Sequence, residues 1–178
     1  ARGYFGEQHY ALDESVDFSD NVNFPTGVLN LENVHMNLSV TNYVGADARI
    51  QFNSLYDFNA HTNNQVELAH APLYQTLNLT RAFDQSGTII PTNISFEMDE
   101  TNSNIDAFIE NLPNLIHLDA DVTINPLGNI SDGNDFIYTA HTLDAEMNLD
   151  IPLNVGMHQL QFVDTLDIGS SVELSADG

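Results

Sequence analysis

The chain has no cysteine, no tryptophan and no lysine, and each absence excludes a class of chemistry. Without cysteine there is no disulfide, no thiolate nucleophile and no cysteine-based zinc or iron–sulfur site. Without lysine there is no Schiff base and no Ser–Lys dyad. The missing tryptophan removes a favoured stacking platform for sugars, although tyrosine and phenylalanine remain.

Positive charge is scarce as well. The 178 residues carry 26 acidic side chains against three arginines, and the formal net charge is −23. Nucleic-acid binding and adsorption to anionic lipid both need positive side chains, so the sequence predicts that the domain binds neither. A solvated surface that resists association is the simpler interpretation of this charge, and condensation of cations such as Ca²⁺ is the alternative.

No apolar run is long enough to span a bilayer. The length suits a single domain over residues 1–178 with a substantial core. No secretory signal peptide is visible at Ala1, so a processed or trimmed start is expected.

Most of the chain alternates apolar and polar residues with the period of two that is typical of half-buried strands. The clearest runs are residues 28–41, 49–59, 92–98, 116–124 and 143–151. A change of phase near Asn53 and Ser54 indicates a β-bulge. Turn signals separate the runs, so the pattern predicts a mainly β fold, an antiparallel β-sandwich of about seven to nine strands.

One short helix is predicted at about residues 104–112. Its apolar stripe recurs at i, i+3, i+4 and i+7 and consists of Ile105, Phe108, Ile109 and Leu112. Ser103 is the predicted N-cap, with Asp106 as a capping-box-like partner. Pro113 is expected to end the helix at Leu112.

The loop at residues 131–135 is the candidate cation site. Asp132, Asn134 and Asp135 supply oxygen atoms around Gly133, and Ca²⁺ prefers six to eight oxygen ligands. The loop lacks EF-hand spacing, and Asp-Gly-Asn is first of all a turn signal. Calcium is therefore the minor interpretation of this loop, and no other cofactor is expected.

No catalytic motif is recognisable in the sequence. The seven histidines show no HxH or HExxH spacing, and GxSxG and SxxK are absent. The carboxylate pairs Asp119 with Asp121 and Asp144 with Glu146 fall on outward strand faces, whereas a glycosidase needs two carboxyls about 5 to 10 Å apart across a cleft. The protein is therefore predicted not to be an enzyme. The alternative is a carbohydrate-active or other hydrolase with an acidic cleft.

Five short motifs carry a family resemblance. They are Phe5–Gly6, the strand–turn–strand of residues 34–55, the helix segment 101–113, the turn of Asn125, Pro126 and Gly128, and the strand end Ile151, Pro152 and Leu153. Together they resemble a family of secreted proteins and outer-membrane lipoproteins from Bacteroidota. The layout of strands and one helix is also similar to the LEA type 2 β-sandwich.

The resemblance implies a location outside the cell or on the outer membrane, and it implies no activity, because no motif carries known chemistry. We therefore expect a non-enzymatic extracellular or cell-surface module with a structural or binding role, such as a subunit of an envelope or filament assembly. Its expected partners are proteins or further copies of itself. An edge strand such as the one predicted around Leu77 and Leu79 can add to a partner's sheet.

Overall fold

Two antiparallel sheets share one core in the computed structural model. The structure describes residues 1–17, 30–138, 142–151 and 160–167, the last of these as backbone only. The strands in chain order are β1 Gln8–Asp17, β2 His35–Asn42, β3 Ala48–Asn59, β4 Asn64–Glu67, β5 Leu77–Leu79, β6 Phe83–Gln85, β7 Thr88–Ile90, β8 Thr92–Met98, β9 Leu115–Ile124, β10 Leu143–Ile151 and β11 Leu160–Asp167. One helix, α1 Ile105–Glu110, lies between β8 and β9.

The sheets confirm the predicted antiparallel sandwich. The first sheet has the order β1–β9–β3, and the other side of β3 is shared by β4 and β5. The second sheet has the order β11–β10–β2–β8, while β6 and β7 form a separate hairpin. The described residues contain eleven strands rather than seven to nine. The prediction missed β6 and β7, which have only three residues each.

Alternation along each strand sets which side chains enter the core. In β2, Met36, Leu38 and Val40 are buried, as their spacing predicts. The register of β3 against β9 shifts between Phe52 and Ser54, which confirms the predicted β-bulge. Buried apolar side chains from the inner faces of both sheets form a single hydrophobic cluster.

One predicted strand begins later in the structure than the sequence indicates. The strand predicted at 28–41 begins only at His35, and its residues 28 and 29 lie outside the described residues. Pro152 and Leu153 of the family motif also lie outside them. Among the residues that are described, no helix is long and apolar enough to cross a membrane.

Helix α1 belongs to the core. Ile105 and Phe108 are fully buried and Ile109 is nearly so. This confirms three of the four residues in the predicted stripe. Leu112, the fourth, lies beyond the helix and is only partly buried.

The helix boundaries predicted from the sequence are wrong at both ends. Asn104, not Ser103, is the N-cap, and its side chain makes no capping hydrogen bond. Instead, Oδ1 of Asn104 accepts a hydrogen bond from the Ala69 N–H at 2.6 Å, so the side chain docks the helix onto the chain after β4. At the other end, Leu112 has a φ of 50°. This left-handed backbone ends the helix before Pro113 is reached.

The first sheet gives the sandwich two distinct ends. Ile124 pairs with both Gln8 and Ala48, and Ala48 also pairs with Leu79. The chain before Gln8 and the chain after Leu79 and Ile124 therefore emerge at the same end, which we call the loop end. At the opposite end, the helix end, β3 runs into the turn before β4, and α1 covers the core.

Candidate functional site

An exposed apolar surface lies at the loop end of the sandwich. Among the described residues, the large apolar side chains with high exposure are Tyr4 at 41%, Phe83 at 56%, Ile90 at 43%, Leu127 at 65%, Ile130 at 56% and Tyr138 at 41%. All six belong to three segments at the loop end, 1–7, 83–90 and 125–138. Exposed apolar side chains that are grouped, rather than scattered singly, mark interaction sites. We call these six residues the apolar patch.

A polar cluster ties the three segments of the patch together. The guanidinium of Arg2 donates hydrogen bonds to the Tyr138 hydroxyl, at 2.6 Å, and to the Asp84 carboxylate. The Tyr138 hydroxyl also donates to Asp84, at 2.9 Å. Hydrogen bonds from the Gly87 N–H and from Tyr138, together with the charge of Arg2, lower the pKa of Asp84. The three segments are therefore joined to one another at Arg2, Asp84 and Tyr138.

Backbone pairing adds to this connection. The Gly3 N–H donates to the Asp135 carbonyl at 3.0 Å, and the Ile137 N–H donates to the Ala1 carbonyl at 3.0 Å. The first segment thus lies along the third, although more than a hundred residues separate them in the chain.

Asp135, one of the three predicted calcium ligands, is a buried anchor for this end. Its side chain is fully buried. Oδ2 accepts hydrogen bonds from Nδ2 of Asn125 at 2.8 Å and from the Phe5 N–H at 3.3 Å. Oδ1 lies 3.7 Å from Nη1 of Arg81. The carboxylate therefore fixes the loop and the N-terminal segment to the end of β9.

The structure does not gather the three predicted ligands into a metal centre. Asp132 and Asn134 are exposed, and the Asn134 amide donates to the Ser131 carbonyl at 2.8 Å. The positive group beside Asp135 is Arg81, which also donates to the Asn134 carbonyl at 2.7 Å. In the described part of the chain, no three His, Asp or Glu side chains could hold a metal ion. Calcium at this loop stays a prediction from the sequence.

The loop of residues 125–138, which carries part of the patch, packs closely against Gly45. The Gly45 N–H donates to the Phe136 carbonyl at 2.8 Å, and the Phe136 ring, only 4% exposed, lies over Gly45. A Cβ atom at Gly45 would be 2.2 Å from Cδ1 of that ring. This close approach requires glycine at position 45.

Gly45→Ala is therefore expected to lower the free energy of unfolding by about 1–3 kcal/mol through overpacking. Urea denaturation measures the change. The matched control is the same substitution in a Phe136→Ala background, where the cost should largely vanish because the ring is gone. An equal cost in both backgrounds would show that the ring does not occupy the space above Gly45.

A second polar cluster, which no sequence pattern indicates, lies on the outer face of the first sheet. Ser15 Oγ is 2.9 Å from Nδ1 of His117, and Nε2 of His117 is 3.6 Å from Oδ1 of Asp13. The His117 ring stacks on Tyr56 with the ring centroids 4.6 Å apart. No local motif signals this cluster, because it depends on the pairing of β1 with β9, more than a hundred residues apart.

The carboxylate pair Asp119 and Asp121 lies beside this cluster, on the outer face as predicted. Nδ2 of Asn53, at the β-bulge, donates to Asp119 at 3.1 Å and to Asp121 at 2.9 Å. The bulge thus places a neutral donor between two negative groups, which offsets part of their repulsion.

A second buried carboxylate, Asp57, lies at the helix end. Its side chain is fully buried, and Oδ1 accepts hydrogen bonds from Nδ2 of Asn111 and from the Val66 N–H. Oδ2 has no hydrogen-bond partner. Burial raises the pKa of Asp57 to about 6, despite these two hydrogen bonds, which act in the opposite direction.

The two buried carboxylates cannot act together on one substrate. Asp57 is paired with Ile116 near the start of β9, whereas Asp135 is bonded to Asn125, just past its end. Nine residues of extended strand separate these points by about 30 Å. A glycosidase needs its two carboxyls about 5 to 10 Å apart.

These features define the class of the protein. It is an antiparallel β-sandwich that a helix closes at one end and that presents an apolar patch at the other. Comparisons with protein-family models, with curated proteins and with solved structures gave no match.

Proposed function

We propose that the protein is a non-enzymatic extracellular or cell-surface module with a structural or binding role, and that it binds its partner through the apolar patch. The observation that carries the proposal is the grouping of six exposed, large apolar side chains at one end of the sandwich. Water-exposed apolar surface of this kind is stabilised when a partner covers it. A subunit in an envelope or filament assembly fits this arrangement.

The location of the module is also a proposal. The resemblance to Bacteroidota secreted proteins and outer-membrane lipoproteins supports a location outside the cell or on the outer membrane. The net charge of −23 is compatible with a surface that stays solvated and avoids nonspecific contact.

The apolar patch fits a binding role better than the edge strands do. Leu77 and Leu79 of β5 are buried in the core, and the three residues of β5 offer few backbone groups to an added strand. The longer strand β1 carries carboxylates at positions 13, 14 and 17, and charges on an edge strand oppose pairing with another acidic strand.

The proposal is tested by retention of the purified protein on the native cell-envelope fraction. Leu127→Asp places a charge on the most exposed residue of the patch and should abolish retention. Gln65→Asp makes a similar change of charge on β4 at the helix end, and it should leave retention intact. If Leu127→Asp is retained as strongly as Gln65→Asp, the envelope is bound through another surface.

A hydrolase is the second candidate function, and the contact between Ser15, His117 and Asp13 favours it. In such an enzyme, His117 would take the hydroxyl proton of Ser15 while Asp13 orients the imidazole. The Asp13 side chain is 83% exposed, however, and a solvated carboxylate stabilises the imidazolium far less than one in a site that excludes water.

A fluorophosphonate probe separates the two functions. We expect no covalent labelling of Ser15 by the probe, because the nucleophile lacks a water-excluding site. Labelling of the parent protein that disappears in Ser15→Ala would establish the hydrolase and remove the non-enzymatic proposal.

A further inference from the structure

Strand β1 forms an open edge of the first sheet. All ten of its residues, Gln8–Asp17, pair with β9 in one unbroken register, and the strand contains neither proline nor a bulge. In the described ranges of the chain, no backbone hydrogen bond joins β1 to any segment other than β9. Alternate residues of an antiparallel strand direct their N–H and C=O groups away from the paired neighbour, so about half of β1 presents these groups along the open side. Such an edge is a template for one more strand.

Carboxylates line this edge. Strands β1 and β9 together carry five of them and no arginine. The five are Asp13, Glu14, Asp17, Asp119 and Asp121. Asp13 lies directly opposite Asp119 in the register, and like charges at opposite positions repel each other. The Asp13 side chain is 83% exposed, and the nearby His117 ring is charged only when it is protonated. A positive side chain from outside the chain can therefore reach Asp13 and offset this repulsion.

These charges decide which kind of strand can be added. A second copy of the chain would bring its own acidic β1 to the edge, and carboxylates would then face carboxylates across the new pairing. A basic strand has the opposite relation to the edge. Asp13 and Asp17 lie on the same face of β1, so a strand with arginine or lysine at every second position places positive charges beside both of them.

We propose that the open edge of β1 binds an extended, basic segment of another protein, which adds to the first sheet as a further strand. The backbone groups of the edge supply the pairing, and the carboxylates select the positive side chains. None of the six residues of the apolar patch belongs to β1 or β9. The inference therefore concerns a second surface and does not depend on the proposed function.

Residue-resolved amide hydrogen exchange on the full chain, followed by NMR, tests the inference. The probe is a synthetic peptide of the same length as β1 in which arginine and threonine alternate. In the protein alone, every second N–H of β1 should exchange rapidly. With the peptide bound, these same groups should exchange more slowly by about tenfold or more, because each gains a hydrogen-bond partner. The control peptide has the same charge but carries proline at two central threonine positions, which prevents strand pairing, and it should give no protection.

Two double variants separate strand addition at β1 from general attraction to an acidic protein. Asp13→Asn with Asp17→Asn should weaken binding of the peptide by about five- to tenfold. Glu97→Gln with Glu146→Gln removes the same amount of charge from exposed positions of the second sheet, and it should leave binding nearly unchanged.

Four results would overturn the inference. The first is no binding of the peptide, and the second is binding that leaves the exchange of β1 unchanged. The third is equal weakening by the two double variants, which would assign the binding to overall charge. The fourth is slow exchange along all of β1 in the protein alone, which would mean that the edge is already covered.

Discussion

Replacement of Phe108 by alanine is expected to lower the free energy of unfolding by about 3–5 kcal/mol. The Phe108 side chain is fully buried, and together with Ile105 and Ile109 of the same helix it belongs to the hydrophobic core. Its removal loses the burial of an aromatic ring and leaves a cavity that the surrounding strands fill only in part. This loss is a large share of the total of about 5–15 kcal/mol that stabilises a typical domain.

Asp106→Asn on the same helix is the matched control. Asp106 lies in the first turn of α1 and is only partly buried. Its replacement should cost well under about 1 kcal/mol, since only its interaction with the helix dipole is lost. Urea unfolding of both variants gives the comparison. If Phe108→Ala costs no more than Asp106→Asn, α1 is a detachable element rather than part of the core.

Asp57→Asn is expected to remove a large pH dependence of stability. The pKa of Asp57 is raised from 3.8 to about 6 by burial, so the folded protein holds this proton over a pH range in which the unfolded chain has released it. Proton binding by the Asp57 carboxyl therefore stabilises the folded protein fully below about pH 4, and this stabilisation is lost as the pH rises through about 6. A shift of this size corresponds to about 3 kcal/mol between the two limits.

The measurement is the difference in unfolding free energy between the parent and Asp57→Asn at several pH values. This difference isolates Asp57 from the other carboxylates that titrate over the same range. Between pH 4 and pH 8, the unfolding free energy of the parent should fall by about 3 kcal/mol relative to that of Asp57→Asn. The control is Asp121→Asn, which removes an exposed carboxylate. A constant difference for Asp57→Asn across the pH range would mean that the carboxylate is solvated.

The strands were predictable because their signal is local. In β2 and β10, every second residue faces the core, so the burial of Met36, Leu38 and Leu143 can be read from the order of residues alone. The bulge in β3 was visible for the same reason, since it interrupts that alternation at Asn53. Strands of three residues give no period to recognise, which is why β6 and β7 were missed.

The sites were less predictable because they depend on distant parts of the chain. An apolar residue in a loop, such as Leu127, can be buried by another segment or left exposed, and the sequence alone does not decide between these. The contact of Arg2 with Tyr138 joins residues 136 positions apart. Asp57 occupies an inward position of β3 and is buried, but the Asn111 amide that hydrogen-bonds its carboxylate lies 54 positions away in the chain.

The helix boundaries show how packing overrides a local signal. Ser103 followed by Asp106 is a reasonable capping pattern, but the Ser103 hydroxyl donates to the Asp99 carbonyl at 2.8 Å. The same hydroxyl oxygen accepts a hydrogen bond from the Ile105 N–H at 3.3 Å. Ser103 therefore belongs to the turn after β8, and the helix begins at Ile105 with Asn104 as its N-cap.

The central claim, that the apolar patch is the interaction surface, is tested most directly by hydroxyl-radical footprinting. The oxidation of individual side chains is compared between dilute protein and protein assembled at high concentration or on the envelope fraction. The account predicts lower oxidation of Phe83, Leu127 and Tyr138 in the assembled state, with no change at Tyr56 on the outer face of the first sheet. Protection of Tyr56 with unchanged oxidation at the patch would contradict the claim and assign binding to the acidic outer face.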